Sequence, residues 1–262
     1  MFVQVDAFTK QPFRGNPAGV MVLNEPASPT WMQQVASEMN LAETAFLVKT
    51  GENQYHLRWF TPVYEVELCG HATLASAHAL WAAGHAAAGE PIVFDTLSGT
   101  LTATPHDGQI QLDFPATPPR PALLPEGTLE SIGIEHPLFT GETPFDFFVE
   151  VESEEVLHGL RPDFSRLAAI ETRGVIVTCK AAHSGVDFMS RFFAPAAGVY
   201  EDPVTGSAHC ALAPYWVDQL GRNPLIGYQA SKRGGTVGVK VKGDRVLLRG
   251  DAVTVFELKT LV

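Results

Sequence analysis

The sequence has few of the residues that mark a disulfide framework or a metal centre. Its 262 residues include only three cysteines, Cys69, Cys179 and Cys210, and none of them form a CxxC pair. Its nine histidines are scattered without the spacing of metal ligands. This usage argues against disulfides and zinc and is typical of a reducing, cytoplasmic compartment.

Several signatures of other protein classes are also missing. No apolar run approaches the roughly 18 residues of a membrane span, and the first residues, MFVQVDAFTKQPF, lack the basic and then apolar pattern of a signal peptide. There is no GxGxxG after a strand, and GxxxxGK[ST], HExxH and GxSxG are absent. A net charge of −11 disfavours nucleic-acid binding. We therefore expect no cofactor, no metal, no membrane and no nucleic-acid partner.

The composition is that of a globular chain with many turns. Hydrophobic residues make up 45% and charged residues 18%, with 23 glycines and 19 prolines, which indicates short strands joined by turns. The stretch PATPPRPALLP at 115–125 is predicted to be a linker, because proline has no amide donor for a helix interior or a central strand. The predicted domains are residues 1–115, joined by a C-terminal strand at 252–262, and residues 116–251.

The pattern predicts helices among these strands. One runs from about Thr30 to Met39 with Ser28 as its cap, a second begins near His71, and a third runs from about Ser207 to Leu220. The segment Pro12–Ala18 is predicted to be a turn-rich loop.

The two halves repeat each other at one offset. Gly206 follows Gly70, and Gly235 follows Gly99, by the same 136 residues. In each half an Arg-aromatic-Phe strand leads through an acidic loop to a glycine and a helix of small residues. Each helix start carries unpaired amides that attract anions. Two such halves around a pseudo-two-fold axis could hold a small anionic substrate in one cleft, although both helices could equally be plain core elements.

Three residues are candidate catalytic groups. Glu43 lies between apolar neighbours at a strand start, where partial burial would raise its pKa, although this position alone favours an exposed strand-end glutamate. His71 follows Gly70 at a helix start that disfavours imidazolium, or it simply caps the helix. Asp202 precedes a proline in a loop, where it could contribute only to a turn.

Other residues are candidates for substrate binding. Thr205, Gly206 and Ser207 form a small turn suited to an anion, or Ser207 is an ordinary N-cap. Asn16 could line a cleft or make an Asx turn, and Arg233 could hold a carboxylate or end a solvated hairpin.

A two-thiol mechanism, as in cofactor-free amino-acid racemases, is tested by the repeat. The position 136 residues after Cys69 is Thr205, so Cys69 has no matching thiol. Cys210 lies about one helical turn after Ser207 and is expected to point elsewhere. Cys69 is therefore interpreted as a packed loop residue.

These segments resemble the phenazine-biosynthesis PhzF-like family, whose fold is that of diaminopimelate epimerase. The resemblance spans nearly the whole chain, and its most specific segments are CGHATLASAH from Cys69 and EDPVTGSAH from Glu201. It implies an α+β fold of two pseudo-symmetric halves, each a curled, mostly antiparallel sheet or barrel around a central helix, with the active site between them. It also implies a homodimer that shifts a proton on a small carboxylic acid without a cofactor. In that family the residue matching Glu43 is the general acid/base, and those matching Gly70, His71, Asp202 and Ser207 hold the substrate or relay the proton.

Three functions remain open at this point. The first is the proton-shifting isomerase. The second is a racemase or epimerase of an amino or hydroxy acid that uses Cys69 as one base. The third is a non-catalytic binding protein on the same fold, against which the retention of Glu43, His71 and Asp202 argues.

Overall fold

The computed structural model describes residues 1–182 and 185–260 and has an α+β fold. The chain divides into two compact units, Met1–Phe114 with Leu247–Val262, and Pro115–Val246. The first boundary falls at the start of the proline-rich stretch. The chain returns to the first unit at Leu247, inside a strand.

Within its described residues, the first unit contains ten strands in part or whole and two helices. They are β1 (Phe2–Ala7), β2 (Asn16–Leu23), α1 (Pro29–Met39), β3 (Glu43–Gly51), β4 (Gln54–Phe60), β5 (Glu65–Val66), α2 (Gly70–Ala82), β6 (Ile92–Thr96), β7 (Gly99–His106), β8 (Gln109–Pro115), the end of β16 (Arg245–Gly250), and β17 (Ala252–Glu257).

The second unit contains the remaining elements, among them three short helices that the sequence pattern did not predict. In the described residues they are β9 (Arg120–Pro121), α3 (Thr128–Ile132), β10 (Phe139–Glu142), β11 (Asp146–Glu150), α4 (Glu154–Gly159), α5 (Phe164–Leu167), β12 (Gly174–Lys180), β13 (Phe188–Phe193), a 3₁₀ helix (Pro195–Ala197), α6 (Gly206–Leu220), β14 (Leu225–Gln229), β15 (Gly235–Lys242) and the start of β16.

The two units repeat one pairing pattern. In the first, β2 pairs in parallel with β3, β3 antiparallel with β4, β4 in parallel with β6, and β6 antiparallel with β7. In the second, β11 pairs in parallel with β12, β12 antiparallel with β13, β13 in parallel with β14, and β14 antiparallel with β15. The glycines at the common offset begin matching elements, namely α2 and α6, and β7 and β15. The predicted α+β fold with a duplicated unit is therefore confirmed.

Helices α2 and α6 are the central helices of their units. Nine of the thirteen residues of α2 are buried, as expected of a helix that is apolar or small on every side. Its buried hydroxyls bond to backbone carbonyls of the same helix, as Ser76 Oγ does to Ala72 O at 2.7 Å. Small side chains let the curled sheet approach closely, with β1, β2 and β3 packed on α2.

Two local predictions meet different outcomes. Helix α1 begins at Pro29 with Ser28 as its cap, since the Ser28 hydroxyl accepts a bond from the Trp31 amide. The prediction of a loop over Pro12–Ala18 is wrong in its second part, because β2 already begins at Asn16. Pro17 is opposite Asp6 of β1, whereas the pairing of β2 with β3 begins only at Ala18.

Two further observations concern the cysteines and the helices. Cys69, Cys179 and Cys210 are all buried, and none of the three forms a disulfide. Among the described residues, no helix has both the length and the apolar character needed to cross a membrane.

Candidate functional site

Glu43 is the first residue of β3, and it lies at the end of the sheet where β2 also begins. In the parallel pairing Ala18 faces Glu43, two residues after Asn16. The Glu43 side chain is 18% exposed, whereas Asn16 is completely buried. Glu43 is therefore a half-buried carboxylate rather than a freely exposed one.

The first turn of α2 supplies the residues next to this carboxylate. Cys69 is the N-cap in an extended conformation (φ −143°, ψ 114°), Gly70 is the first helical residue and His71 the second. The N-cap side chain makes no capping hydrogen bond, so no side chain of the cap satisfies the first amides of α2. His71 is thus part of the helix and does not cap it.

The Glu43, His71 and Cys69 side chains meet around one imidazole ring. Nε2 of His71 lies 3.2 Å from Oε2 of Glu43, and Nδ1 lies 3.5 Å from Sγ of Cys69. The geometry at Nε2 is close but not aligned, because within the described part of the chain this nitrogen has no hydrogen bond of standard geometry. Nε2 is therefore near the carboxylate and retains hydrogen-bonding capacity for another group.

Burial keeps this imidazole neutral. His71 is 4% exposed, and burial lowers its pKa from the ordinary 6.5 to about 3. The ring can donate or accept one hydrogen bond at each nitrogen, but it takes up no proton near neutral pH. His71 is therefore an uncharged neighbour of the Glu43 side chain near neutral pH.

The same three residues are the one cluster of possible metal ligands in the described ranges. One donor atom from each of Glu43, Cys69 and His71 lies within 4.8 Å of the others, a grouping that histidine spacing in the sequence did not reveal. However, Glu43 faces Nε2 and Cys69 faces Nδ1. An ion bound by all three residues could use only one ring nitrogen, so the contact at the other nitrogen would have to break.

The second unit holds the other predicted residues at the start of α6. Thr205 is the N-cap, without a side-chain capping bond, and Gly206 and Ser207 are the first two helical residues. Ser207 is therefore not the N-cap. The Thr205 hydroxyl donates to Oδ2 of Asp202 at 2.5 Å, which joins Asp202 to the helix start.

Gln229 fixes this turn and was not predicted as a site residue. Its Oε1 accepts from the Thr205 amide at 2.8 Å, and its Nε2 donates to the Asp202 carbonyl at 2.7 Å and to the Thr205 hydroxyl at 3.1 Å. Gln229 is completely buried at the end of β14. The Asp202–Thr205 turn is thereby tied to the sheet.

Arg173 is a second missed residue, for which no sequence motif gives a signal. Its guanidinium donates to both oxygens of Asp146 and, at 3.1 Å, to the Ser207 hydroxyl. Asp146 is 3% exposed, and its pKa is raised by burial, with the paired Arg173 acting in the opposite direction. Arg173 thus brings a positive charge to the start of α6.

The predicted residues therefore form two groups, each within its own unit. The first unit brings together Glu43, Gly70 and His71, and adds Cys69. The second brings together Asp202, Thr205, Gly206 and Ser207. Arg233 lies between β14 and β15 and is half-buried.

Comparison with known proteins gives consistent matches over the whole chain. The family model described as "Phenazine biosynthesis-like protein" (PhzC-PhzF) matches residues 5–258. An uncharacterized isomerase of Halalkalibacterium halodurans is 53% identical over 259 residues, covering 98% of this chain and 97% of that protein. The crystal structure of a PhzF-family phenazine biosynthesis protein from Enterococcus faecalis gives a TM-score of 0.89 at 41% identity, covering 97% of this chain and 95% of that one.

A more distant structure supports the relation to epimerase folds. A probable proline racemase from Agrobacterium radiobacter gives a TM-score of 0.63 at 13% identity, covering 100% of this chain and 93% of that one. At this identity the likeness concerns the fold alone. It agrees with the predicted epimerase-like architecture.

Proposed function

The chain belongs to the phenazine biosynthesis-like (PhzC-PhzF) family, and on that premise we propose that it is a cofactor-independent isomerase. It shifts a proton on a small carboxylic-acid metabolite by general acid/base catalysis. A relative that is 53% identical carries the name isomerase, which supports the reaction class. The finer assignment depends on the residues around Glu43.

The observation that carries the proposal is the pairing of Glu43 with a neutral His71. Their side-chain atoms are 3.2 Å apart, and burial holds the pKa of His71 at about 3. The half-buried carboxylate can act as a base, and the neutral imidazole can act as a hydrogen-bond donor. These two groups together are sufficient to move a single proton.

The proposed reaction uses Glu43 in both directions. The carboxylate takes a proton from one carbon of the substrate, and the electron pair left behind spreads toward the substrate's unsaturated or carboxylate group. Glu43, now a carboxylic acid, returns that proton to a different carbon. His71 donates a hydrogen bond from Nε2, and the uncapped amides from Gly70 onward stabilise the negative charge that develops.

The remaining predicted residues take their roles as part of the proposal. Asp202 assists the proton transfer, and its bond from Thr205 supports a fixed carboxylate position. Asn16, Gly70, Thr205, Gly206, Ser207 and Arg233 bind the substrate. The absence of side-chain caps on α2 and α6 favours a substrate with a carboxylate.

Deuterium incorporation from solvent tests this function. The protein is incubated in D2O with small carboxylic acids, including amino acids, hydroxy acids and dihydro-hydroxyanthranilate, and mass spectrometry measures the mass gain. We expect exchange on at least one compound in the wild type and in Glu38→Gln, an exposed glutamate on α1, but not in Glu43→Gln. Exchange that persists in Glu43→Gln would contradict the proposed base. No exchange on any compound would favour a binding protein.

A racemase that uses Cys69 is the second candidate, because its thiol lies beside His71. Such a mechanism needs a thiol on the other face of the carbon, and the matching residue is Thr205. Cys210 is a poor substitute, since its Sγ bonds to the Gly206 carbonyl and burial raises its pKa to about 12. Cys69→Ser would abolish activity in a racemase of this kind, whereas the isomerase retains most of it.

Assembly and location complete the proposal. We expect a homodimer, supported by the family resemblance, and light scattering on the purified protein measures its mass. We also expect a cytoplasmic protein, supported by three buried cysteines that form no disulfide. A monomeric mass at micromolar concentration would contradict the first expectation.

A further inference from the structure

The mechanism above leaves the Cys69 thiol without a role, although it lies in contact with the site. The residue is 6% exposed, and its Sγ lies 3.5 Å from Nδ1 of His71, within the longer range of sulfur hydrogen bonds. Its backbone carbonyl has a separate function, because it accepts from the Thr73 amide and hydroxyl. The contact with the imidazole is therefore made by the thiol and is separate from the bonds of the carbonyl.

The direction of this contact follows from the chemistry of a neutral ring. Neutral imidazole carries one proton, so one nitrogen donates and the other accepts. Nε2 faces the Glu43 carboxylate at 3.2 Å, and a lone pair there would face a negative oxygen. The proton consequently belongs on Nε2, and Nδ1 is left as a buried acceptor that needs a donor.

We propose that Cys69 is a positioning residue whose S–H donates to Nδ1 of His71 and holds the ring proton on Nε2, toward Glu43. This deepens the proposed function and depends on it for its catalytic consequence, though not for the hydrogen bond itself. Because the thiol is the N-cap of α2 and the imidazole is two residues later, the contact also fixes the orientation of the ring. The thiol takes no proton from substrate.

The geometry sets this thiol apart from the others. The Cys210 thiol donates to the Gly206 carbonyl of its own helix, at 3.5 Å, which is a bond that serves the helix only. Cys179 lies inside strand β12. A serine at position 69 could still donate to Nδ1, whereas an alanine could not. Comparing the two substitutions therefore distinguishes a hydrogen-bonding role of Cys69 from a packing role.

Infrared spectroscopy measures the hydrogen bond without any substrate. The S–H stretching band lies in a region free of other protein bands and moves to lower frequency when the thiol donates. The difference spectrum between the wild type and Cys69→Ala isolates the Cys69 band, with Cys179→Ala as the matched control for loss of a buried thiol. We expect a lowered frequency that rises when the same difference is taken in a His71→Phe background.

Kinetics then test the catalytic consequence on whichever compound exchanges deuterium. We expect Cys69→Ala to lower kcat about tenfold, the effect of losing one hydrogen bond, with little change in KM, and Cys69→Ser to recover most of the loss. A merely structural role would lower the folded fraction and leave kcat per folded molecule unchanged.

Each outcome decides the matter. A Cys69 band that does not respond to His71→Phe, or the absence of an S–H band from Cys69, overturns the proposed bond. A responsive band with equal kcat in Cys69→Ala and the wild type overturns the positioning role alone. If the wild type incorporates deuterium into no compound, the proposed function fails. The infrared measurement still tests the Cys69–His71 hydrogen bond independently.

Discussion

Lowering the pH below 6.5 is expected to destabilise the fold through its buried histidines. Burial lowers the pKa of His71 from 6.5 to about 3 and that of His209 to about 4, with a bond to the Thr205 carbonyl opposing the shift at His209. The unfolded chain binds these protons below pH 6.5, and the folded chain does not until pH 3 to 4. The stability they contribute is therefore complete above pH 6.5 and is lost as the pH falls.

The size of the effect follows from proton linkage. Each histidine that binds a proton only in the unfolded state changes the free energy of unfolding by about 1.4 kcal/mol per pH unit. Between pH 6.5 and pH 5, His71 alone accounts for a loss of about 2 kcal/mol, and His209 for a similar loss. Above pH 5 the carboxylates of the unfolded chain remain largely ionised, so histidines dominate this interval.

Urea unfolding monitored by circular dichroism at several pH values measures this loss. His71→Gln removes one titrating group, so the slope of the unfolding free energy against pH should fall by about 1.4 kcal/mol per pH unit. His136→Gln, at an exposed position, controls for loss of a histidine. If the two units unfold separately, the change should appear in one transition only, since His71 and His209 lie in different units.

An unchanged slope in His71→Gln would refute the reasoning. It would mean that the imidazole is protonated in the folded protein as readily as in the unfolded chain. In that case His71 would carry a positive charge beside Glu43, and the account of a neutral hydrogen-bond donor would have to be abandoned.

Two further predictions concern the second unit. Arg173→Met should lower the free energy of unfolding by about 3 kcal/mol, because it leaves the buried Asp146 carboxylate without its partner. Urea unfolding measures this loss. The double variant Asp146→Asn with Arg173→Met should recover much of it. Gln229→Leu should cost about 2 kcal/mol, because the Thr205 amide and the Asp202 carbonyl lose their partner. The same variant should also lower deuterium exchange by loosening the turn that carries Asp202, and an unchanged stability and rate would exclude this clamp.

Much of the fold could be predicted because the repeat places strong local signals at matching positions. Gly70 and Gly206 begin the central helices, and Gly99 and Gly235 begin matching strands. Small residues without periodic polar positions predict a helix buried on all sides. These signals are local in sequence, so one chain is enough to find them.

The parts that were missed depend on tertiary contacts. Asn16 and Pro17 are turn residues by composition, yet β2 begins there because pairing to β1 outweighs local preference. The short helices α3, α4 and α5 have too few residues for a periodic pattern.

The sequence predicted most residues of the candidate site but not the contacts between them. Glu43, by its position alone, suggested an exposed strand end, and its proximity to His71 arises only when α2 packs on β3. Cys69 was interpreted as a packing residue because no second thiol matched it, and the Cys69–x–His71 spacing at a helix start was its one local signal. Arg173 reaches Ser207 from 34 residues away, a separation for which the sequence offers no pattern.

The most direct test of the central claim compares proton exchange in Glu43→Gln with that in the wild type and in Glu38→Gln. On a compound that the wild type labels in D2O, the account predicts a loss of at least about 100-fold for Glu43→Gln, with normal folding by circular dichroism, and full activity for Glu38→Gln. Equal labelling by Glu43→Gln and the wild type would contradict the claim that Glu43 carries the proton.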